Sequence, residues 1–347
     1  MSQAAWRTDS DRSVLTVEDL RVTFSGRSRL LAGLFGREAA GARAVDGVSL
    51  DIKRGQITAL AGESGCGKTT LARTIMGLEK PAGGRVLYGG KPIGDLRAYR
   101  RRVQMIFQDP TGALNPRQTI YESVAEGLRI HRIHDDEESK VAIALSQAGL
   151  RPPERFFLLY PHEVSGGQRQ RVVIAGALVL EPEVIIADEP VSMLDASVRG
   201  EILRLLLKLR DELGLTILIV THDLGLAWTV ADRVTVMYLG RIVEDGPAEK
   251  VLTNPQHPYT KALLAVVDDS PDGKRQTERP ILAGEPPDPT RIPQGCRFHP
   301  RCPEVASGRA EAAGILDRCV GDDPQLIEAD RDQVAACWLL KGHTRDH

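Results

Sequence analysis

Gln56–Ala61 (QITALA) runs directly into Gly62–Thr69 (GESGCGKT), and this junction decides the fold. A short continuous apolar run reads as a strand buried on both faces. The loop behind it matches G-x-x-x-x-G-K-[ST], and a helix-forming stretch follows. Gly62, Gly65 and Gly67 let successive backbone N–H groups turn inward around phosphate oxygens, and the next helix presents its positive N-terminus. Glu63, Ser64, Cys66 and Thr70 complete the expected cradle. Lys68 is expected to reach the β- and γ-phosphates of a nucleotide, and the Thr69 hydroxyl to ligate Mg²⁺. A chance glycine turn would lack both flanks.

Two more buried runs lie downstream, Glu183–Asp188 and Leu215–Thr221. Between them Val198, Ile202, Leu205, Leu206, Leu209 and Leu213 line one face of a helix over Val198–Leu213, with Gly214 as a left-handed stop. This alternation predicts a doubly wound α/β core. Val184–Asp188 (VIIAD) is followed by Glu189, so a carboxylate pair ends a buried strand, at the position where such sheets bind ligands. Asp188 is expected to hold Mg²⁺ through water, and Glu189 to polarise the attacking water. An isolated Asp-Glu at a strand end is commonly just solvated; the phosphate loop turns the reading toward chemistry.

Working outward, Leu15–Phe24 and Ala44–Ile52 read as strands separated by a Gly- and Arg-rich excursion over Ser25–Ala42. Residues from about Leu96 to Leu180 read as a mostly helical subdomain. After Asn254, prolines from Pro255 to Pro293 argue against long regular elements. The expected division is an ATPase domain over 1–254 and an extension over 255–347. Lys and Arg number 45 against 47 Asp and Glu, which gives no reason to expect nucleic acid as a partner. Met1–Ser10 carries Arg7 and Asp9 and lacks the apolar core of a secretory signal. Val172–Leu180, the longest uncharged apolar stretch, is too short to span a bilayer, so any membrane role is expected to come through partner subunits. Cys66 stands alone in the glycine loop, whereas Cys296, Cys302, Cys319 and Cys337 cluster in the tail and read as metal ligands sooner than disulfides. Four thiolates suit tetrahedral zinc or a cubane cluster, with four free thiols as the remaining alternative, and the lack of paired C-x-x-C knuckles weakens zinc.

Val164–Gln168 (VSGGQ) fits a capping box in which Ser165 and Gln168 bond reciprocally, while Gly166 and Gly167 free the backbone to approach an anion. Taken alone it is a helix cap. With its neighbours it carries a resemblance to the ABC ATPase family, motif by motif and in that family's order. Gln108 in VQMIFQDP resembles the Q-loop, Ser192–Asp195 (SMLD) the D-loop, and His222 after LIVT the switch histidine. Phe24 is similar to the aromatic that stacks on adenine, with a core strand residue as the alternative. The resemblance spans about Leu15 to Gly246; Val164 stands where the family more often has Leu. It implies a P-loop ABC ATPase core with a helical subdomain, plus a small irregular cysteine-containing C-terminal extension. It also implies Gln108 as a Mg²⁺ ligand and Gln108, Glu189 and His222 as catalytic residues. Two such domains would meet head to tail. Each ATP would lie between one phosphate loop and the partner's Ser165, Gly166, Gly167 and Gln168, with Asp195 beside it.

Asn254–Leu263 (NPQHPYTKAL) and GEPPDPTRIPQGCRFHPRCP from Gly284 resemble the oligopeptide/dipeptide and nickel-peptide importer ATPases, and the Ser25–Ala42 excursion is similar to one of that subfamily's two paralogous subunits. The resemblance implies two transmembrane permease subunits, a second ABC ATPase subunit and an extracytoplasmic substrate-binding protein, with this chain peripheral on the cytoplasmic face of the inner membrane. It implies a 4Fe–4S cluster on the four tail cysteines, although the gap from Cys302 to Cys319 is longer than the subfamily's usual spacing. Nickel complexes, glutathione and glycosides are alternative cargoes within the same subfamily. A soluble ABC ATPase acting on DNA or ribosomes would carry two cassettes or coiled-coil insertions, which the sequence lacks.

Overall fold

A computed structural model describes residues 13–24, 41–267, 284 and 287–343. Most of the Ser25–Ala42 excursion lies outside the described residues. In chain order the elements used below are β1 (Ser13–Phe24), β2 (Ala42–Lys53), β3 (Ile57–Ala61), α1 (Lys68–Ile75), β4 (Gly83–Tyr88), β5 (Val103–Ile106), α2 (Ile120–Ile130), α3 (Glu137–Gln147) and α4 (Gly166–Leu178). They continue with β6 (Val184–Asp188), α5 (Ala196–Leu213), β7 (Thr216–Thr221), β8 (Arg233–Tyr238), β9 (Arg241–Pro247), α6 (Ala248–Thr253), α7 (Pro258–Val267), β10 (Ile327–Asp330) and β11 (Gln333–Ala335). The chain forms two compact units, one from Met1–Asp51, Thr58–Gly90 and Thr221–His347, the other from Ile52–Ile57 and Lys91–Val220.

The first unit carries the phosphate loop. β3 pairs in parallel with β8, Thr58 opposite Arg233 and Ala61 opposite Val236. β9 continues the sheet antiparallel to β8, followed by β11 and β10 from the tail. All five β3 residues are buried, as a continuous apolar run requires. The hairpin between β8 and β9 turns on Leu239 (φ 42) and Gly240 (φ 79), a pair with positive φ of the kind that suits strand twist. A second sheet orders β2, β1 and β4. β1 is antiparallel to β4, with a register shift between Glu18 and Arg21. Gly84 accommodates that bulge, because a Cβ there would come within 2.2 Å of the Asp19 carbonyl oxygen.

The tail is not a separate body by its contacts: it contributes two strands and an aromatic cluster to this unit. Tyr238, Tyr259 and Phe298 are fully buried together, with Cys296 and Cys302 packed against them. Its elements are short, except that α7 extends over 10 residues. Pro258 opens that helix, where a missing N–H breaks no bond.

The second unit holds parallel β5, β6 and β7 in the order β7–β6–β5. The expected helical subdomain is mostly helical, but β5 within it joins the sheet, Val103 opposite Val184. α2 carries a complete Thr119–Glu122 capping box and buries Ile120, Val124, Ala125 and Leu128. On α5 Ile202, Leu205, Leu206 and Leu209 are buried as the periodicity predicts, whereas Leu213 is exposed and Val198 only partly covered. The stripe therefore ends a turn early, and Gly214 (φ 67) stops the helix.

Candidate functional site

The phosphate loop is shaped by backbone demands that only glycine meets. A Cβ on Gly62 (φ 150) would lie 2.2 Å from the Met237 carbonyl oxygen, and one on Gly67 (φ 106) only 1.9 Å from that of Ala44. Gly67 is the left-handed N-cap of α1. The loop thus lies against β8 and β2, while its other side is free of side-chain bulk at Gly65, where a Cβ would meet nothing within 4 Å. Lys68 is 4% exposed, and its ammonium donates to the carbonyls of Gly62 (2.7 Å) and Glu63 (2.9 Å). A cation held at the mouth of such a glycine turn suits a polyphosphate. Cys66 is buried, and burial pushes its thiol pKa up. The hairpin turn is tied to the loop by Gly240 N–H donating to Cys66 O at 2.9 Å.

Phe24 ends β1 with 44% of its surface exposed. Ser64 and Thr69 are exposed and Thr70 partly so; His222, directly after β7, is exposed as well.

In the second unit the acidic strand end is organised around Glu189. Asp188 is buried at the end of β6. Glu189 adopts a positive φ of 46, its N–H donates to Val220 O at 2.9 Å, and Gln108 Nε2 donates to its carboxylate at 2.9 Å. A non-glycine residue held at such φ is strained backbone of the kind that clusters at functional sites. Ser192 Oγ donates to the Glu189 carbonyl at 3.1 Å, fixing the start of the SMLD segment. Asp195 is the N-cap of α5, with no side-chain capping bond of its own.

VSGGQ forms the expected capping box. Ser165 N–H donates to Gln168 Oε1 (2.9 Å) and Gln168 N–H to Ser165 Oγ (3.2 Å). Gly167 faces α5 so closely that a Cβ would meet Val198 Cγ1 at 2.6 Å. Gly166 is partly covered and Ser165 exposed, so the N-terminus of α4 is presented at the surface of this unit. The sequence-expected residues thus fall into two sets. Gln108, Asp188, Glu189, Asp195 and Ser165–Gln168 belong to the second unit. Phe24, Gly62–Thr70 and His222 belong to the first.

Cys296, Cys302, Cys319 and Cys337 line one cavity together with Phe298, His299 and Trp338. Cys296 N–H donates to Cys319 O at 2.9 Å, which fixes two of the four chain positions against each other. Burial pushes the Cys296 and Cys337 thiols up to about 12 and raises those of Cys302 and Cys319 as well. Among the described residues no group of His, Cys, Asp or Glu is closed up as a metal site. Four thiols are the donor chemistry of a thiolate-bound group; here they are free cysteines lining one cavity, Cys296 and Cys302 from one short segment and Cys319 and Cys337 from two others.

Sequence reasoning missed the residues that brace the loop. Glu63 N–H donates to the Tyr259 hydroxyl at 2.9 Å, and Arg301 grips the Glu63 carboxylate with two bonds of 2.8 and 3.0 Å. Both partners lie in the tail motifs, and no local pattern links positions 238 residues apart.

The ABC transporter family model matches residues 45–192, and the model for the C-terminal region of oligopeptide/dipeptide transporters matches residues 243–308. The oligopeptide transport ATP-binding protein AppF of Bacillus subtilis is 43% identical over 339 residues, covering 95% of this chain and 98% of that protein. The dipeptide transport ATP-binding protein DppF of Haemophilus influenzae is 42% identical, covering 89% and 92%. Among solved structures, cbiO1 of Clostridium perfringens, part of the cbiONQ ABC transporter complex, superposes with a TM-score of 0.60 at 33% identity, covering 70% of this chain and 92% of that one. The dimeric bacterial ABC transporter cassette MJ0796 gives 0.57 at 29% identity, covering 67% and 98%.

Proposed function

Because the chain belongs to the ABC transporter family, as a relative of the oligopeptide and dipeptide transport ATP-binding proteins, we propose that it is the ATP-hydrolysing motor subunit of a peptide importer. The observation that carries the hydrolytic role is the Glu189 carboxylate, held in strained backbone after buried Asp188 and hydrogen-bonded by Gln108. In this reading Lys68 and the glycine cradle bind the phosphates of ATP, and Phe24 stacks on the base. Thr69 and Gln108 ligate Mg²⁺, with Asp188 behind it. Glu189 takes the proton of the attacking water, and His222 lies at the γ-phosphate.

The exposed Ser165–Gln168 cap serves the ATP of a partner ATPase, with Asp195 at the dimer seam. Binding closes the sandwich, and hydrolysis opens it. The partners are two permeases, a second ATPase subunit and an extracytoplasmic binding protein. Among the described residues no helix is long and apolar enough to cross a membrane; the resemblance to importer ATPases is what puts the chain at the cytoplasmic face in this reading. Cys296, Cys302, Cys319 and Cys337 would hold one 4Fe–4S cluster, supported by their shared cavity, and the cluster would supply cross-linking of the tail segments.

The test is co-purification from membranes followed by reconstitution. Peptide-stimulated ATP hydrolysis with associated permeases is the expected result; a complex that responds to no peptide but to another cargo would redirect the assignment.

A further inference from the structure

Glu63 sits second in a loop read as a triphosphate cradle, and an uncompensated carboxylate there would repel the ligand. The structure gives it two partners from distant parts of the chain. The Arg301 guanidinium, 8% exposed, forks onto both carboxylate oxygens. Planar bidentate pairing of this kind fixes position as well as charge. Arg301 is held in turn by the Tyr238 hydroxyl at 3.4 Å, with its guanidinium carbon 6.0 Å from the Tyr238 ring centre.

The Glu63 backbone is fixed on both sides of its Cα. Its N–H goes to the Tyr259 hydroxyl, and its carbonyl accepts from the Lys68 ammonium. Tyr259 packs tilted against Tyr238 (4.6 Å between ring centres) and edge-on against Phe298 (5.3 Å). Arg301 and Phe298 both lie on the short segment bounded by Cys296 and Cys302. On that segment Arg297 is also anchored, through an ion pair to Asp46 and a hydrogen bond to the Leu239 carbonyl in the hairpin turn. A chain of contacts therefore runs from the cysteine segment through Arg301 to Glu63, and from Glu63 to the Lys68 ammonium.

We propose that Arg301 is a positioning residue for nucleotide binding: carried on the cysteine segment, it neutralises and fixes Glu63 so that the phosphate loop can accept a triphosphate. The proposal rests on the reading of Gly62–Thr69 as the ATP site. It assigns the tail a part in the ATPase cycle beyond holding its own fold. Its specific content is that Glu63 is harmless only while Arg301 covers it.

The experiment measures ATP affinity of the full-length chain by titration calorimetry for wild type, Lys68→Ala, Arg301→Met, Arg301→Lys, Glu63→Gln and the Glu63→Gln/Arg301→Met pair. Wild-type binding that disappears in Lys68→Ala establishes the loop reading on its own; binding indifferent to Lys68 would refute that reading, and with it the proposal. Given that control, Arg301→Met should weaken ATP about tenfold, as expected for exposing one unpaired charge beside the ligand. Arg301→Lys, which keeps the charge but loses the fork, should fall between. With Glu63→Gln as the background, adding Arg301→Met should change ATP affinity by no more than about threefold. The double variant carries no orphaned charge, so it remains informative if Arg301→Met fails to fold. Unchanged affinity in Arg301→Met, or a loss of about tenfold on adding Arg301→Met to Glu63→Gln, would overturn the proposal.

Discussion

At the level of single residues, the second unit makes the sharpest claim. Glu189 is positioned by strain and by Gln108, so Glu189→Gln keeps the shape and the hydrogen-bonding reach of the side chain while removing the base. Hydrolysis in a dimer bearing this change in both sites should fall by at least about a hundredfold with ATP affinity retained. Single-turnover assays and binding titrations separate the two; near-normal turnover would exclude Glu189 as the base. A different residue-level expectation concerns Cys66. Burial raises its pKa and hides its sulfur, so alkylation in the native protein should be far slower than in urea, by mass spectrometry of the peptide carrying Cys66. Equal rates would mean that the loop opens freely.

Elements carry a second kind of prediction, because α4 and α5 meet where glycine is required. Gly167→Ala should drive its methyl into Val198, and a second change, Val198→Ala, should restore thermal stability. If the α4 cap serves a partner's ATP, Ser165→Ala should instead depress hydrolysis while costing the chain only about 1 kcal/mol for the lost cap. The sequence legibility of these elements followed physics. β3, β6 and β7 were readable because strands buried on both faces need uninterrupted apolar residues, and the Ser165 cap because its bonds span only a few positions. The α5 stripe was readable except at Leu213, since periodicity locates a face but cannot say where its cover ends. The Gln108–Glu189 bond and the Arg301 fork join residues far apart in the chain, and no local pattern records such meetings. Of the four cysteines, spacing suggested a shared role; their common cavity came only with the folded tail.

For the molecule as a whole, the proposed sandwich predicts weak ATPase activity from the purified chain alone and a rise when its ATPase partner and permeases are restored. Sedimentation and turnover measured across protein concentration would show it; vigorous activity in a strictly monomeric preparation would count against a transport motor. The tail makes an analytical prediction too. If the proposed cluster is present, anaerobic purification should give a brown protein with about four irons per chain; colourless protein with stoichiometric zinc, or with no metal at all, would remove the cluster.

The order in which the ribosome delivers the chain gives the sheet of the first unit one more meaning. The loop strand β3 leaves the exit tunnel early, yet the strand it pairs with, β8, begins only at Arg233, and the arginine that covers Glu63 arrives later still. At roughly 5–20 residues per second, the glycine loop has β2 beside it but waits for several seconds or more for β8 and for Arg301. A nascent chain halted before Arg233 should therefore be open to proteases at the loop and unable to retain ATP, whereas one released after Arg301 should protect it. In such a protein the phosphate loop is translated well before the segments that complete it.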